Sequence, residues 1–577
     1  MVESHKPMTR FFIILLFFTG MHCSLAQVVN LRGQITDKTD GEGLPFVNIR
    51  LQGYYYGTST NLEGRFELKL NPDHFQGLLT ISCIGYQSKV IDLSQIDSER
   101  YQHIVLERVT TQLDEVVVKS KRAQRRENIQ AKTVVMDALD LIPRHRPHHY
   151  FGAKTFYRHY CQEDSTYVRL IEAALDIGQH KKDKSFVQIP EHKLGFKVTQ
   201  LRRSFDFTQS AKLEHPHISL NFLLSNDLTS YEFHNPLRRN LDNYQFSFAD
   251  TTQLDGKPIV VIDFESLKPT AQHLSYEGSL YIGLKDLAFV KADIRESAVQ
   301  RSLVDSVNSV VRKQIFFERI GKAMYPNRVI SDVDAFHYQL DTNQNRIVDK
   351  VRHQSHVELM TNAVTPRVRY PLKGKEPSEQ AMKEIEYEPD FWQDYTVLEA
   401  TPLEEKIIKD LSAKMELDKQ FEVFNRIEEG AESIIKTDEF QELLALYEGT
   451  PVYVLFWAGW GLPNFYELET SPEFRKLVRK ERFKFLLVSL DDNDNNWEQN
   501  RDFNGLNQNN IIHHRLDFDF DSEMTRVFFK NMLPQFVVFD RYGEVYDLNP
   551  PLPNAEGKKD YFLKVLELKK TQSTANR

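Results

Sequence analysis

The chain has 577 residues, of which 41% are hydrophobic, 27% charged and 12% aromatic, and its formal net charge is -9. One hydrophobic core does not extend over that length, so three or four domains of about 100–200 residues each are expected. The mildly acidic balance gives no electrostatic footprint for nucleic acid, which excludes that class of partner.

Residues 1–26 carry basic Lys6 and Arg10, an apolar run from Phe11 to Phe18, and Ser24-Leu25-Ala26 before Gln27. That is the layout of a cleaved secretory signal peptide. Its apolar core of about eight to eleven residues is short of the roughly twenty that span a bilayer. Cys23 invites a lipoprotein reading, which the poor approach Gly20-Met21-His22 disfavours. No later segment is long and apolar enough to be a transmembrane helix, so an exported protein of the periplasm or outer-membrane periphery is expected. Beyond Cys23, only Cys83 and Cys161 remain, in different predicted domains, and no disulfide is expected.

Residues 27–110 read as a small β-sandwich of short alternating strands. Val47, Ile49 and Leu51 point one way, as do Phe66, Leu68 and Leu70, and Gly57-Thr58-Ser59-Thr60-Asn61 with Gly64-Arg65-Phe66 forms a turn. These residues, with Gly33-Gln34-Ile35-Thr36-Asp37, Gly43-Leu44-Pro45-Phe46-Val47-Asn48-Ile49 and Gly85-Tyr86, resemble the carboxypeptidase-regulatory-like domain, a transthyretin-like sandwich. No His-x-x-Glu or His-Glu-x-x-His zinc motif occurs in the chain, so the resemblance implies an adaptor rather than a peptidase. Leu113-Asp114-Glu115-Val116-Val117-Val118 resembles the segment that joins such a domain to the plug of TonB-dependent receptors. The remaining chain is too short and polar to be the receptor barrel.

Residues 111–149 are expected to be a linker and helix: a charged hinge over 119–128, then an amphipathic helix over 129–141 that ends at Pro143. His145, His148 and His149 lack a carboxylate at metal-binding spacing and read as surface histidines. Residues 150–370 are expected to form a β-rich antiparallel domain resembling an open half-barrel, with turns at Asp255-Gly256 and Lys285-Asp286. Its concave face could hold lipid or peptide, or pack a helix. Residues 371–429 read as a linker and helical spacer, solvated over 403–426, where acidic and basic residues alternate on a helical period.

Residues 430–577 contain Phe456-Trp457-Ala458-Gly459-Trp460-Gly461-Leu462-Pro463-Asn464-Phe465-Tyr466-Glu467 between an apolar strand and a helical pattern. This segment resembles the active-site stretch of the TlpA-like thioredoxin family, F-W-A-x-W-C-x-P-C-x-x-E, with Gly461 and Asn464 at the two cysteine positions. Residues 483–490 read as the next parallel strand, Met532-Leu533-Pro534-Gln535 matches the family's cis-proline, and Asp540-Arg541-Tyr542-Gly543-Glu544-Val545 reads as the last hairpin. Residues 491–497 lack the glycine of a calcium loop and read as an ordinary loop. Thiol-disulfide exchange needs an attacking thiolate and a second sulfur. Glycine and asparagine supply neither, so the module is expected to be redox-dead.

The fold class expected is thus multidomain: an all-β sandwich, a half-barrel-like antiparallel domain, and an α/β thioredoxin-like domain. The expected role is a non-catalytic envelope protein that binds peptide or protein, or completes an assembly, through a groove formed by Trp457, Trp460, Pro463 and Pro534. No catalytic residue, metal or cofactor is expected; the partner is expected to be protein or peptide in the envelope, with association to outer-membrane components as a possibility. The alternatives are a divergent envelope oxidoreductase that borrows a partner's cysteine, a hydrolase in the middle domain, and an accessory of TonB-dependent uptake.

Overall fold

The computed structural model describes residues 28–71, 74, 76–109, 121–179, 194–207, 223, 237, 241–268, 274–301, 305–341, 346–370, 372, 385–397, 402–413, 416–424, 434–457, 483–490, 497, 511–516, 533, 535–548, 550, 561 and 564–565. The signal-peptide segment, residues 113–118, and the loop at 491–496 lie outside them.

The first domain is two sheets face to face. In one, β1 (Val29–Asp37) lies between β4 (Arg65–Leu70), antiparallel, and β7 (Gln102–Leu106), parallel. The other runs β3 (Tyr56–Ser59), β2 (Asn48–Leu51), β5 (Leu78–Ser82), β6 (Lys89–Asp92). Strand alternation sends one face of each sheet inward, and Leu31, Ile35, Val47, Ile49, Leu51, Phe66, Leu68 and Leu70 meet in one core. At the turn, Asn61 Oδ1 accepts from the amides of Glu63 and Arg65 at 3.0 and 2.9 Å. Gly64 there has φ 76° and would place a Cβ 2.4 Å from the Ile35 carbonyl oxygen, so only glycine closes this turn.

Helix α1 (Lys121–His145) then leads into the middle domain. The strands are β8 (Gly152–Glu163), β9 (Thr166–Gln179), β10 (Leu194–Arg203), β11 (Tyr244–Leu254) and β12 (Lys257–Ser266). They continue with β13 (Ser275–Gly283), β14 (Phe289–Arg301), β15 (Asp305–Ile320), β16 (Ala323–Asp341) and β17 (Arg346–Thr365). All pair antiparallel, in the order β11-β12-β13-β14-β15-β16-β17-β8-β9-β10. Register shifts recur along it, among them Phe248/Asp250, Phe316/Phe317 and Thr361/Ala363. Each bends its strand, and the sheet curls into a half-barrel. Asp255 and Gly256, at φ 52° and 70°, make the two-residue turn expected from their types.

The concave face is filled by α1. Ala131, Val135, Ala138, Leu139 and Ile142 pack against Tyr157, Ile171, Val260, Ile262, Leu280 and Ile282. Of the two occupants left open by the sequence, the helix takes this face. The helix also corrects the hinge expected over 119–128, since it starts at Lys121 and runs past Pro143 to His145. No glycine or proline interrupts residues 121–142, and Lys, Arg, Gln, Glu and Ala there are good helix formers.

The solvated spacer helix expected over 403–426 is corrected as well, and the segment before it is docked too. Helix α2 (Pro389–Asp394) buries Trp392 against Phe156 and Met360 on the outer face of the curled sheet, beneath the Arg202 guanidinium at 4.4 Å. Helix α3 (Pro402–Ser412) buries Ile407 and Leu411 against Tyr167 and Leu170. Those two residues sit four apart on one helix face. In α4 (Leu417–Phe424), the Gln420 side chain accepts from the Phe205 amide at 3.0 Å and donates to the Leu411 carbonyl at 2.8 Å. Alternating charge along α3 and α4 masked a short apolar stripe.

The sandwich is joined to the curled sheet at β3 and β17. Tyr56 lies opposite Ala363, and the Val364 amide donates to the Tyr55 carbonyl at 3.0 Å. Two buried arginines close the seam. Arg50 donates to Glu318 Oε2 at 2.8 Å, to the Thr361 and Asn362 carbonyls at 2.9 and 3.3 Å, and to Asn327. Arg328, on β16, donates to Ser59 Oγ at 2.8 Å and to the Thr60 carbonyl at 2.6 Å, and pairs with Glu358. Its guanidinium also lies 4.5 Å from the Phe46 ring centroid.

The last domain begins with α5 (Asp438–Ala445), capped by the Thr437 hydroxyl. Its sheet runs β20 (Ile511–Arg515), β19 (Lys484–Ser489), β18 (Val452–Trp457), β21 (Gln535–Phe539), β22 (Val545–Asp547). The first three are parallel and the last two antiparallel. One face packs Val452, Val454 and Phe456 with Phe440 of α5, and the other packs Tyr453, Leu455 and Trp457 with Phe485 and Phe536. Strand β20, Ile-Ile-His-His-Arg, is too short and polar to have been anticipated.

Breaking the seam should be costly, because removing one partner of a buried ion pair strands the other. Arg328→Met is expected to lower stability by about 3–5 kcal/mol, read from urea unfolding of the whole chain. A loss below about 1 kcal/mol, the range of exposed pairs, would mean that the seam is held elsewhere.

Candidate functional site

The residues singled out in the sequence converge on the last domain. Trp457 is the final residue of β18, and its carbonyl accepts from the Leu490 amide at 2.8 Å. Phe456 lies opposite Gln535 across the β18–β21 ladder. The carboxyl end of β18 and the amino end of β21 therefore share one edge of the sheet, and the Trp-Gly motif and Pro534 adjoin those two ends in sequence. Trp460, Gly461, Pro463, Asn464 and Pro534 themselves lie outside the described residues.

Trp457 corrects the expected groove. Its side chain is 1% exposed and packs with Tyr453, Leu455, Phe483 and Phe485. The alternation of β18 puts it on the same buried face as Tyr453 and Leu455. It supports the sheet edge from beneath and does not line a surface. Gln535, beside it in the fold, donates to the Leu548 carbonyl at 2.7 Å and tethers the start of β21 to the end of β22.

A second constellation went unread in the sequence. On the outer face of the curled sheet, a pocket of about 270 Å³ is lined by Tyr160, Tyr167, Arg312, Asp332, Asp334 and His356, among others. The β16–β17 register sets Asp332 directly opposite His356, which no linear spacing reveals. His356 Nδ1 lies 2.6 Å from Asp332 Oδ1, its Nε2 lies 3.7 Å from Glu358 Oε2, and its ring stacks on Tyr160 at 4.8 Å. Glu358 in turn pairs with Arg328 at the seam. The signal available in sequence was only the alternation of polar residues along two long strands.

Burial alone would lower the His356 pKa, but hydrogen bonds to Asp332 and Glu358 outweigh it and raise the imidazole to about 9. Burial likewise opposes ionisation of Glu358, yet the Arg328 charge and the His356 hydrogen bond bring it down to about 2. His356 and Glu358 are therefore both charged at neutral pH. The arrangement holds a set of paired charges beneath the seam.

The other candidate ligands have other partners. His145 Nε2 lies 2.9 Å from the Asp286 carbonyl oxygen, and among the described residues no three His, Cys, Asp or Glu side chains gather as a metal site. Cys83 follows β5, where burial pushes its thiol up to about 12, and Cys161 is buried in β8. No described helix is long and apolar enough to cross a membrane.

The order of the last sheet, a parallel core and then two antiparallel strands that follow Pro534, is that of a thioredoxin-like fold, behind a β-sandwich and a half-barrel. Residues 31–118 match the family model described as the CarboxypepD_reg-like domain. No curated protein matches the chain. Among solved structures, a candidate thiol-disulfide oxidoreductase from Bacteroides vulgatus is 24% identical over 21% of this chain and 78% of its own, with a TM-score of 0.18. A thiol-disulfide oxidoreductase from Bacteroides fragilis is 17% identical over 22% of this chain and 87% of its own, with a TM-score of 0.16. A LolA superfamily protein from Nitrosomonas europaea is 14% identical over 40% of this chain and 92% of its own, with a TM-score of 0.15.

The charge chain makes stability depend on pH in a stated direction. A histidine whose folded pKa is raised from 6.5 to about 9 contributes stability that is complete below pH 6.5 and lost as pH rises through about 9. A glutamate lowered from 4.5 to about 2 contributes above pH 4.5 and loses it as pH falls toward 2. The urea midpoint should therefore fall as pH rises from about 6.5 to 9, and His356→Gln should flatten that fall. An unchanged alkaline slope in the variant would remove His356 from the seam's energetics.

Proposed function

We propose that the protein is a non-catalytic, exported component of the cell envelope, whose C-terminal module binds an extended polypeptide at the sheet edge where β18 ends and β21 begins. One observation carries this reading: a sheet of thioredoxin order presents that edge, while Gly461 and Asn464 occupy the two positions that the resemblance assigns to sulfur. The scaffold is kept and the electron carrier is missing. Binding would then come from the apolar faces of Trp460, Pro463 and Pro534 rather than from exchange. The sandwich would act as adaptor toward protein partners at the outer membrane.

The alternative, an oxidoreductase working with a partner's cysteine, needs a reactive sulfur near this edge. The two thiols described are poor candidates. Cys83, pushed up to about 12 by burial, holds almost no thiolate near neutral pH, and Cys161 is buried.

In an insulin-reduction assay with the full chain and dithiothreitol, the wild type should not exceed the uncatalysed rate. The double variant Gly461→Cys, Asn464→Cys should exceed it, because only the sulfurs were absent. Turnover by the wild type would overturn the reading. On an array of extended peptides, binding should be insensitive to reductant and should weaken about tenfold or more in Trp460→Ala, the size of loss usual for a buried aromatic anchor.

A further inference from the structure

The sandwich and the outer face of the curled sheet enclose a cleft of about 800 Å³. Pockets of about 300–1,000 Å³ take small organic molecules. Its floor is aromatic. Tyr281 and Phe316 come from the curled sheet, and Phe46 reaches across from the sandwich with its ring centroid 5.4 Å from that of Phe316. Phe46 holds a φ of 60°, a strained value for a residue with a side chain. It is kept there by the hydrogen bond that its amide donates to the Thr60 carbonyl at 3.2 Å and by the Arg328 guanidinium over its ring. Backbone strain of this kind gathers at ligand sites.

Lys291 stands over this floor. Its ammonium is 5.1 Å from the Tyr281 centroid and 5.0 Å from the Phe316 centroid, and the side chain is 16% exposed. Burial draws its pKa below the usual lysine range. Its ion-pair partner, Asp293 Oδ2, is 3.9 Å away, beyond hydrogen-bond distance. That carboxylate is already occupied by two hydrogen bonds from Arg312 and one from Gln314. Of the acids that line the cleft, Glu318 accepts from Arg50 and Asp286 from Arg319, while Asp255 accepts from the neutral Ser88 hydroxyl. Lys257 and Lys285 line the cleft as well, with no ion-pair partner among the described residues. The cleft thus joins an apolar floor to an excess of positive charge, five cationic side chains, Arg50, Lys257, Lys285, Lys291 and Arg319, against three acids, Asp255, Asp286 and Glu318. A largely buried ammonium whose one carboxylate partner lies beyond hydrogen-bond distance is incompletely compensated, and an anionic oxygen placed on it would supply a charge-assisted hydrogen bond.

We propose that this cleft binds a small organic acid, with its anionic group on the Lys291 ammonium and its apolar body on Tyr281, Phe316 and Phe46. The site is independent of the sheet edge in the last domain and stands or falls separately from it.

The test uses the full chain and two fluorescent probes that share an aromatic body, anionic 8-anilinonaphthalene-1-sulfonate and neutral N-phenyl-1-naphthylamine. The sulfonate should bind saturably, one per chain. Lys291→Met should weaken it about tenfold, the effect of losing one charge-assisted contact, and leave the neutral probe unchanged, while Lys291→Arg retains the sulfonate. An unbranched apolar side chain fits over the same rings, so the methionine variant should keep the wild-type circular dichroism. A readout that needs no variant is acetylation of the wild type by acetic anhydride, followed by mass spectrometry. The sulfonate should slow modification of Lys291 and leave exposed Lys322 unaffected. Equal sulfonate affinity in the wild type and Lys291→Met, or Lys291 acetylation unchanged by saturating sulfonate, would overturn the proposal; so would a wild-type chain that does not bind the sulfonate.

Discussion

The Arg328 guanidinium is the contact on which the first two-thirds of this structure depends. It leaves β16 on the outer face of the curled sheet, reaches the hydroxyl of Ser59 and the carbonyl of Thr60 in the sandwich, and balances the Glu358 carboxylate. Arg50 makes the reciprocal reach, from the sandwich to Glu318, Thr361 and Asn362. A planar fork with five donors suits this task, because each guanidinium satisfies several backbone and side-chain acceptors at once. Each arginine is nearly buried, so the seam is held by groups that would be unfavourable if left alone. Two domains that could have swung on a linker are therefore one body.

That constraint has consequences on both sides. Toward the sheet, it fixes the Asp332–His356–Glu358 chain, so that a histidine sits protonated between two carboxylates well above its ordinary pKa. Toward the sandwich, it holds Phe46 in a left-handed backbone conformation and presses its ring against Phe316. The cleft over Lys291 is shaped by the same contact. The half-barrel contributes stiffness from the inside, where α1 fills the concave face with Val135, Leu139 and Ile142. The last domain is organised separately, by a sheet buried on both faces and covered on one by Phe440 of α5.

Much of this was legible in the residues themselves. Alternation placed Val47, Ile49, Leu51, Phe66, Leu68 and Leu70 in the sandwich core, and Asp255-Gly256 announced its turn. The family motif located the parallel strands around Trp457. What escaped was whatever depends on a second layer. Arg50 alternates out of the sandwich core, as a polar residue should, and is buried only because another domain covers that face. Ile407 and Leu411 are two apolar residues within a charged helix, too few to announce that the helix is docked. The motif points Trp457 to a groove because its neighbours in the motif are functional in the family it resembles, whereas its strand parity makes it core. His356 and Asp332 are joined by a ladder register that no single sequence displays.

Native-state amide hydrogen exchange as a function of denaturant tests most directly whether the seam makes one body of the sandwich and the curled sheet. If it does, the most protected amides of β2 and β3 in the sandwich and of β17 in the curled sheet should converge on one opening free energy, with the same denaturant dependence. Exchange of the sandwich strands through a separate opening, at denaturant concentrations where β17 remains fully protected, would contradict it.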